Sequence, residues 1–264
     1  MKRGYVDTSD GQIHYRFEGT GEPLLLLHQV GLSSDQFTEV IPLLAMEYSV
    51  LAMDIPGYGN SYLPNRYCSI PDYARSVIQF LDTLGIAKTN VVGHLLGALV
   101  AVEMEATFPG HIDRLVLSTC PYMDRAEQKA RQANPPAKPM EIAEDGSHLS
   151  KWWQYRAAIT PYLKPEQWQR MLADYLRSGL GTRTEDGHKA MYAYDTPSKL
   201  PLTKSPTLLV YGAQDPFYKK VESTRSLIPR CRVTVIEGAH NLAMWEKPQE
   251  FARGVLEFLK APGV

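Results

Sequence analysis

Three positions at predicted strand ends could take part in chemistry: Leu95, Asp215 and His240. Leu95 is the centre of residues 93–97, Gly-His-Leu-Leu-Gly, which lie between a strand end and a predicted helix. This spacing predicts a strand-to-helix turn of the Gly-x-nucleophile-x-Gly type. A leucine side chain can neither attack a carbonyl nor accept a proton, so the sequence excludes a covalent intermediate at this position.

Asp215 and His240 each follow a predicted apolar strand, at 207–211 and 232–236. A carboxylate that accepts the Nδ1 proton of His240 would leave Nε2 free and would stabilise the imidazolium. The pair therefore predicts a general base that acts on water or on the substrate itself. The structural alternative for Asp215 is a helix cap, a common role for an aspartate after a strand.

A site for developing negative charge is expected next to Leu95. The helix that begins directly after it has unpaired N–H groups at its positive end. The amide of Leu96 is therefore a predicted oxyanion donor, whatever its side chain.

The elements that hold these residues follow from the apolar pattern. Continuous apolar runs predict strands buried on both faces, and helical spacing appears between them. Strands that alternate with helices predict a mainly parallel sheet with right-handed crossovers, flanked by helices. Ligands are then expected at the carboxyl ends of the strands. The predicted strands are 13–18, 23–27, 48–53, 90–92, 115–118, 207–211 and 232–236, and the predicted helices are 70–84, 98–107 and 248–259.

The pattern changes between residues 121 and 202, where prolines 135, 136, 139, 161 and 165 break the chain into short helical pieces rich in tryptophan and tyrosine. This segment is predicted to be a helical cap over the strand ends. Trp152 and Trp153 are candidate substrate-binding residues within it. The alternative is that its aromatic side chains pack the cap onto the core.

Composition narrows the class of protein. The 264 residues include 28 basic and 29 acidic side chains, a formal net charge of -1, which favours neither nucleic acid nor an anionic membrane as a partner. The three cysteines have no metal-ligand spacing, and residues 1–12 are polar. Both observations predict a cytoplasmic protein. We expect a small, neutral or apolar substrate. The turn has neither phosphate-loop nor dinucleotide spacing, so no metal or other cofactor is expected.

Five segments in order resemble the α/β-hydrolase superfamily: 24–28, 54–61, 93–97, 212–215 and 238–240. The resemblance implies an α/β-hydrolase fold with its core at 1–120 and 203–264 and a cap at 121–202. By position, Asp215 matches the family's acid, His240 its base, and Leu95 its nucleophile, where the residue type departs from the pattern.

The same resemblance extends the list of site residues. It implies that the second oxyanion donor is the amide of Gln29 or of Val30, in the loop that begins at His28. His28, His94 and Cys120 are further candidate pocket residues. Cys120 has a structural alternative as a small buried apolar group, and a histidine at the position of His94 is common in the family.

These residues leave three functions open. The first is an enzyme in which Asp215 and His240 activate water against an ester, lactone, amide or carbon-carbon bond, or deprotonate the substrate as a lyase, isomerase or decarboxylase does. The second is a ligand-binding protein that has lost its chemistry. The third is an ordinary hydrolase in which Leu95 is an engineered replacement of the nucleophile.

Overall fold

The apolar runs of the sequence form the centre of a sheet in the computed structural model of the chain, which describes residues 1–134, 141–178 and 184–261. The strands are β1 (Lys2–Thr8), β2 (Gly11–Glu18), β3 (Pro23–Leu27), β4 (Ser49–Met53), β5 (Thr89–His94), β6 (Ile112–Ser118), β7 (Thr207–Gly212) and β8 (Cys231–Ile236). They lie in the order β1-β2-β4-β3-β5-β6-β7-β8. β2 pairs antiparallel with β1 and β4, and the other neighbours are parallel, which confirms the mainly parallel sheet.

Helices cover both faces of this sheet. Within the described residues they are α1 (Ile41–Leu44), α2 (Ile70–Thr83), α3 (Leu96–Thr107), α4 (Arg125–Ala133), α5 (Ser147–Ile159), α6 (Pro165–Arg177), α7 (Thr184–Ala193), α8 (Thr196–Lys199), α9 (Val221–Arg225), α10 (Ala243–Glu246) and α11 (Pro248–Lys260). None of these helices combines the length and the apolar composition that a membrane span requires.

The central strand β3 shows how the two layers of core arise. Successive side chains of a strand point to opposite faces. Leu25 and Leu27 pack in one apolar cluster with residues of α2 and α3, and Leu24 and Leu26 pack in a second cluster with residues of α1 and α11. All four leucines are fully buried, because helices cover both sides of the strand.

The predicted cap segment, residues 121–202, contributes α4 to α8 between β6 and β7. Two of its prolines mark helix boundaries as expected: Pro161 follows the end of α5, and Pro165 is the first residue of α6, where a missing N–H costs nothing. Prolines 135, 136 and 139 lie outside the described residues. The division of the chain into a core and a cap domain stays a prediction.

The contact between β3 and α3 leaves no room for a side chain. A Cβ atom built on Gly97 would lie 2.1 Å from the carbonyl oxygen of Leu27. The amide of Gly97 donates a hydrogen bond to the carbonyl of His28, 3.2 Å away. This close backbone approach places the start of α3 against the loop that follows β3.

We therefore expect Gly97→Ala to lower the free energy of unfolding by about 3 kcal/mol or more, because backbone must shift to admit the methyl group. The control is Gly254→Ala on α11, whose Cβ would meet only the Thr234 methyl group, at 3.3 Å; it should stay within about 1 kcal/mol of the wild type. Urea unfolding followed by circular dichroism measures both. Equal stability of the two variants would contradict the contact.

Candidate active site

Leu95 occupies the predicted turn in a backbone conformation that is rare for its residue type. Its φ is 48° and its ψ is -104°, and its amide donates a hydrogen bond to the carbonyl of Ser118, 3.2 Å away. Positive φ is uncommon outside glycine and marks local strain. The turn thus has the strained geometry of a nucleophile elbow, with a leucine at its tip.

A cavity of about 470 Å³ lies over Leu95. Its inner wall includes the buried side chains of Met123, Met191 and Tyr192. Phe217, from the loop after β7, also lines it. The cavity therefore lies where the carboxyl ends of β6 and β7 meet the helices of residues 121–202, and its interior is largely apolar.

Two of the three amides predicted as oxyanion donors have no acceptor among the described residues. Leu96 is the first residue of α3, and its N–H has no acceptor within the described part of the chain, nor does the N–H of Val30. The amide of Gln29, by contrast, donates to the side-chain oxygen of Gln36 at 3.0 Å. The expectation that Gln29 could be an oxyanion donor is therefore wrong, because its hydrogen is already used, and Val30 is the candidate that remains with Leu96.

The ring of His240 is held by a different carboxylate from the one expected. Its Nδ1 lies 2.8 Å from Oε2 of Glu246, and its backbone amide donates to both Glu246 oxygens, at 3.0 and 3.1 Å. The imidazole ring also has an aromatic neighbour: the ring of Tyr162 stacks on that of His240, with the two centroids 3.7 Å apart. A carboxylate at Nδ1 places the proton there, so Nε2 is the nitrogen that can act as a base.

Asp215 therefore does not orient His240 in this structure, which corrects the prediction. Its carboxylate accepts hydrogen bonds from the Thr119 hydroxyl, at 2.6 Å, and from the amide of Phe217, at 2.8 Å. Burial raises the pKa of Asp215, while these hydrogen bonds and the nearby His240 oppose the rise. Thr119 itself has a φ of 48°, an outlier for a β-branched residue. Asp215 is thus fixed by its own neighbours.

His240 and Asp215 nevertheless lie at the same edge of the sheet. A Cβ atom on Gly212, the last residue of β7, would lie 2.2 Å from the carbonyl oxygen of His240. The Thr119 hydroxyl also lies 3.4 Å from the carbonyl oxygen of Asn241. The loops after β6, β7 and β8 therefore converge, as the parallel topology predicts.

A model of the α/β hydrolase fold family matches residues 22–248. The chain belongs to the α/β-hydrolase fold family. A solved hydrolase from Pseudomonas aeruginosa superimposes with a TM-score of 0.81 over 98% of this chain and 99% of its own, at 24% identity. That likeness is one of fold.

Two relatives illustrate the range of the family. The chain is 25% identical over 265 residues to a 2-hydroxy-6-oxononadienedioate/2-hydroxy-6-oxononatrienedioate hydrolase of Pseudomonas putida, over 95% of this chain and 92% of that protein. It is 36% identical to an uncharacterized protein of Mycobacterium tuberculosis over 103 residues, which span only 30% of that protein. The Pseudomonas putida relative is named a hydrolase, whereas the chain spans about a third of the length of the Mycobacterium tuberculosis relative.

Two histidines predicted as pocket residues of the α/β-hydrolase core are buried, and each has at least one ring nitrogen in contact with a polar group of the protein. Nδ1 of His28 lies 2.7 Å from the carbonyl oxygen of Gln29, and its Nε2 accepts the amide of Ile55 at 2.9 Å. His94 is fully buried beside Ser118, and burial lowers its pKa to about 3. We assign both a structural role, since neither is exposed to a ligand in this arrangement.

Cys120, Trp152 and Trp153 also pack within the protein. Cys120 is fully buried, and burial raises the pKa of its thiol to about 12, so it is a poor nucleophile. Trp152 lies against the ring of Tyr175, at 5.6 Å. Trp153 meets Trp168 edge to face, at 5.7 Å. These contacts favour the packing alternative over substrate binding for all three residues.

Sequence reasoning missed Glu246, Tyr162 and Thr119. Glu246 follows His240 by six residues, and that spacing alone does not predict a contact. Tyr162 is one of many aromatic residues in the predicted cap, with nothing to single it out. A strained threonine such as Thr119 leaves no signal in the sequence, because its conformation is imposed by its surroundings.

The helix α6 docks onto the core through a buried carboxyl group. Asp174 is 3% exposed and accepts a hydrogen bond from the Ser33 hydroxyl at 2.7 Å. The pKa of Asp174 is raised to about 6, and burial of the carboxyl group is the largest cause of this rise. Four residues earlier, Arg170 forms an ion pair with Asp35 at 2.7 Å. This side of residues 121–202 is therefore tied to the loop after β3.

The raised pKa of Asp174 predicts a pH-dependent stability. The folded state binds the proton of Asp174 more tightly than the unfolded state does. The protonated carboxyl group therefore contributes fully to the free energy of unfolding below about pH 4, and this contribution is lost as the pH rises through about 6. We expect Asp174→Asn to raise the free energy of unfolding at pH 8 by about 1–3 kcal/mol, with the difference vanishing at pH 4. Urea unfolding from pH 4 to 8 measures it, with Asp82→Asn as an exposed control. A difference that is constant with pH would refute the assignment.

Proposed function

We propose that this protein hydrolyses an ester, lactone, amide or carbon-carbon bond of a small molecule with His240 as general base and without a covalent intermediate at the elbow. The observation that carries the proposal is the state of His240. Glu246 holds its Nδ1 at 2.8 Å and Tyr162 stacks on its ring at 3.7 Å, while Nε2 has no partner in the described residues. A binding protein has no need for a base held in this way.

The proposed reaction has two proton transfers. Nε2 of His240 takes a proton from water as the oxygen attacks the carbonyl carbon, and Glu246 stabilises the imidazolium. The charge that develops on the carbonyl oxygen is stabilised by the amides of Val30 and Leu96. His240 then returns the proton to the leaving group, and the bond from that group to the carbonyl carbon breaks.

Leu95 has a defined place in this proposal. Its side chain lines the cavity where a nucleophile would form an acyl intermediate, so the attack falls to water. An apolar wall also lowers the local polarity, which strengthens hydrogen bonds to a developing oxyanion. The elbow thus keeps its backbone role without its covalent one.

One observation favours a second candidate, a ligand-binding protein without chemistry. The cavity over Leu95 is lined by residues that do not include His240 or Glu246. A ligand confined to this lining would contact the elbow and the helices of residues 121–202 without touching the base, whereas a substrate of the proposed enzyme must extend beyond it to His240.

We expect activity to depend on Glu246 more than on Asp215. On a panel of p-nitrophenyl esters and aryl lactones, His240→Gln should lower kcat/KM by about 10²–10⁴-fold, the usual contribution of a general base. Glu246→Gln should lower it by about 10²-fold, because the imidazolium loses its carboxylate. Asp215→Asn should cost less than Glu246→Gln.

The matched comparison is between the two isosteric amide variants, whose stability is checked by thermal unfolding. A larger loss in Asp215→Asn than in Glu246→Gln would show that His240 changes partner during the reaction. Activity that survives His240→Gln would reject the proposal.

A reporter at the elbow tests whether His240 reaches it. The wild type should not react with a fluorophosphonate probe, because Leu95 offers no nucleophile. Leu95→Ser should become labelled, since a serine there would lie beside the Leu96 amide and His240 would act as its base. Leu95→Ala is the control for the smaller side chain and should stay unlabelled. An unlabelled Leu95→Ser protein, correctly folded, would favour the ligand-binding candidate.

A further inference from the structure

The cavity over Leu95 differs in chemistry between its interior and its mouth. Met123 and Met191 are 6% and 5% exposed and form its inner wall. Arg131 of α4 and Lys219, in the loop after β7, also line it but are exposed to solvent. The cavity is therefore apolar inside, with two cations at its rim.

These two cations have no carboxylate of their own. Within residues 1–134, 141–178 and 184–261, no Asp or Glu side chain lies within ion-pair distance of Arg131 or Lys219. The other charged groups of the lining are already paired. Lys220 binds Glu127 at 2.8 Å, and His188 lies 3.2 Å from Glu185. The rim thus carries an uncompensated positive charge from two side chains.

The charge of Arg131 acts on the cavity itself. Tyr192 lines the cavity, and burial raises the pKa of its hydroxyl while the Arg131 guanidinium opposes that rise. Arg131 therefore lies close enough for its charge to act on a residue that lines the cavity.

We propose that this cavity binds a substrate with an apolar body and a terminal carboxylate, the body against Leu95 and the carboxylate between Arg131 and Lys219. This inference rests on the proposed function and specifies its substrate class. The charges at the rim favour this substrate over the neutral or apolar one expected from the sequence.

The chemistry of the rim favours a carboxylate. A guanidinium presents paired N–H donors that match a planar carboxylate, and an ammonium adds a point charge. The neighbouring Lys220 is already neutralised by the carboxylate of Glu127, so Arg131 and Lys219 are the cations left for a ligand. Apolar burial then supplies most of the affinity and the ion pairs supply the preference.

The test compares 6-phenylhexanoate with its neutral isostere 6-phenylhexanamide by isothermal titration calorimetry on the full chain. We expect the acid to bind about fivefold more tightly or better. Its advantage should shrink as sodium chloride rises from 0.05 to 0.5 M, because salt screens charges near solvent. Equal affinities, or no binding of either compound, would overturn the proposal.

Variants of the two rim residues test whether Arg131 and Lys219 cause the preference for the acid over the amide. Arg131→Gln and Lys219→Gln should each weaken binding of the acid by about two- to fivefold and leave the amide unchanged. Lys129→Gln, on the same helix as Arg131 but outside the cavity lining, is the matched control and should change neither. A loss of affinity for both compounds would indicate a structural effect and contradict the assignment. Tighter binding of 5-phenylpentyl phosphate than of the acid would overturn the proposal that the rim binds a carboxylate.

Turnover is measured separately, so the two proposals fail in different ways. A preference for the acid without hydrolysis of any ester or lactone would reject the proposed function and keep the anion site. The opposite result is hydrolysis whose KM is unchanged in Arg131→Gln and Lys219→Gln, together with equal affinity for acid and amide. It would reject the anion site and keep the proposed function.

Discussion

The contact between Gly97 and the carbonyl of Leu27 fixes the geometry of the elbow. Because no side chain separates α3 from β3, the first turn of the helix is pressed against the strand end, and the chain must reverse sharply at Leu95. The positive φ of Leu95 is the local cost of that reversal. The same reversal leaves the amide of Leu96 without an acceptor among the described residues, so one backbone contact accounts for both the strain and the donor.

Because the elbow depends on backbone contacts, it can keep its geometry with a leucine in place of a nucleophile. The conformation at Leu95 is imposed by glycines on both sides and by the hydrogen bond to Ser118, and none of these needs a hydroxyl. Replacing the central side chain therefore leaves the backbone donors and the strand-end loops in position. Chemistry at this edge then depends on which acid and which base the loops supply.

The local features of the site could be predicted from the sequence, and the choices between partners could not. Glycine spacing and apolar runs identified the elbow and the strand ends that carry Asp215 and His240. They could not show that Glu246 would bind His240, or that Gln36 would take the amide of Gln29, because these depend on side-chain directions set by packing. The strand β1 was missed for a related reason: only Val6 within it is buried, so it has no apolar alternation to detect.

The stacking of Tyr162 on His240 joins a residue of the segment 121–202 to a residue of the sheet edge. Any ligand that binds more tightly when these two rings are apart must, by thermodynamic linkage, weaken the stack as it binds. The reverse also holds: a change that strengthens the stack lowers the affinity for such a ligand by the same factor. Ligand uptake at this edge and the attachment of this segment to it are then two measurements of a single coupling energy.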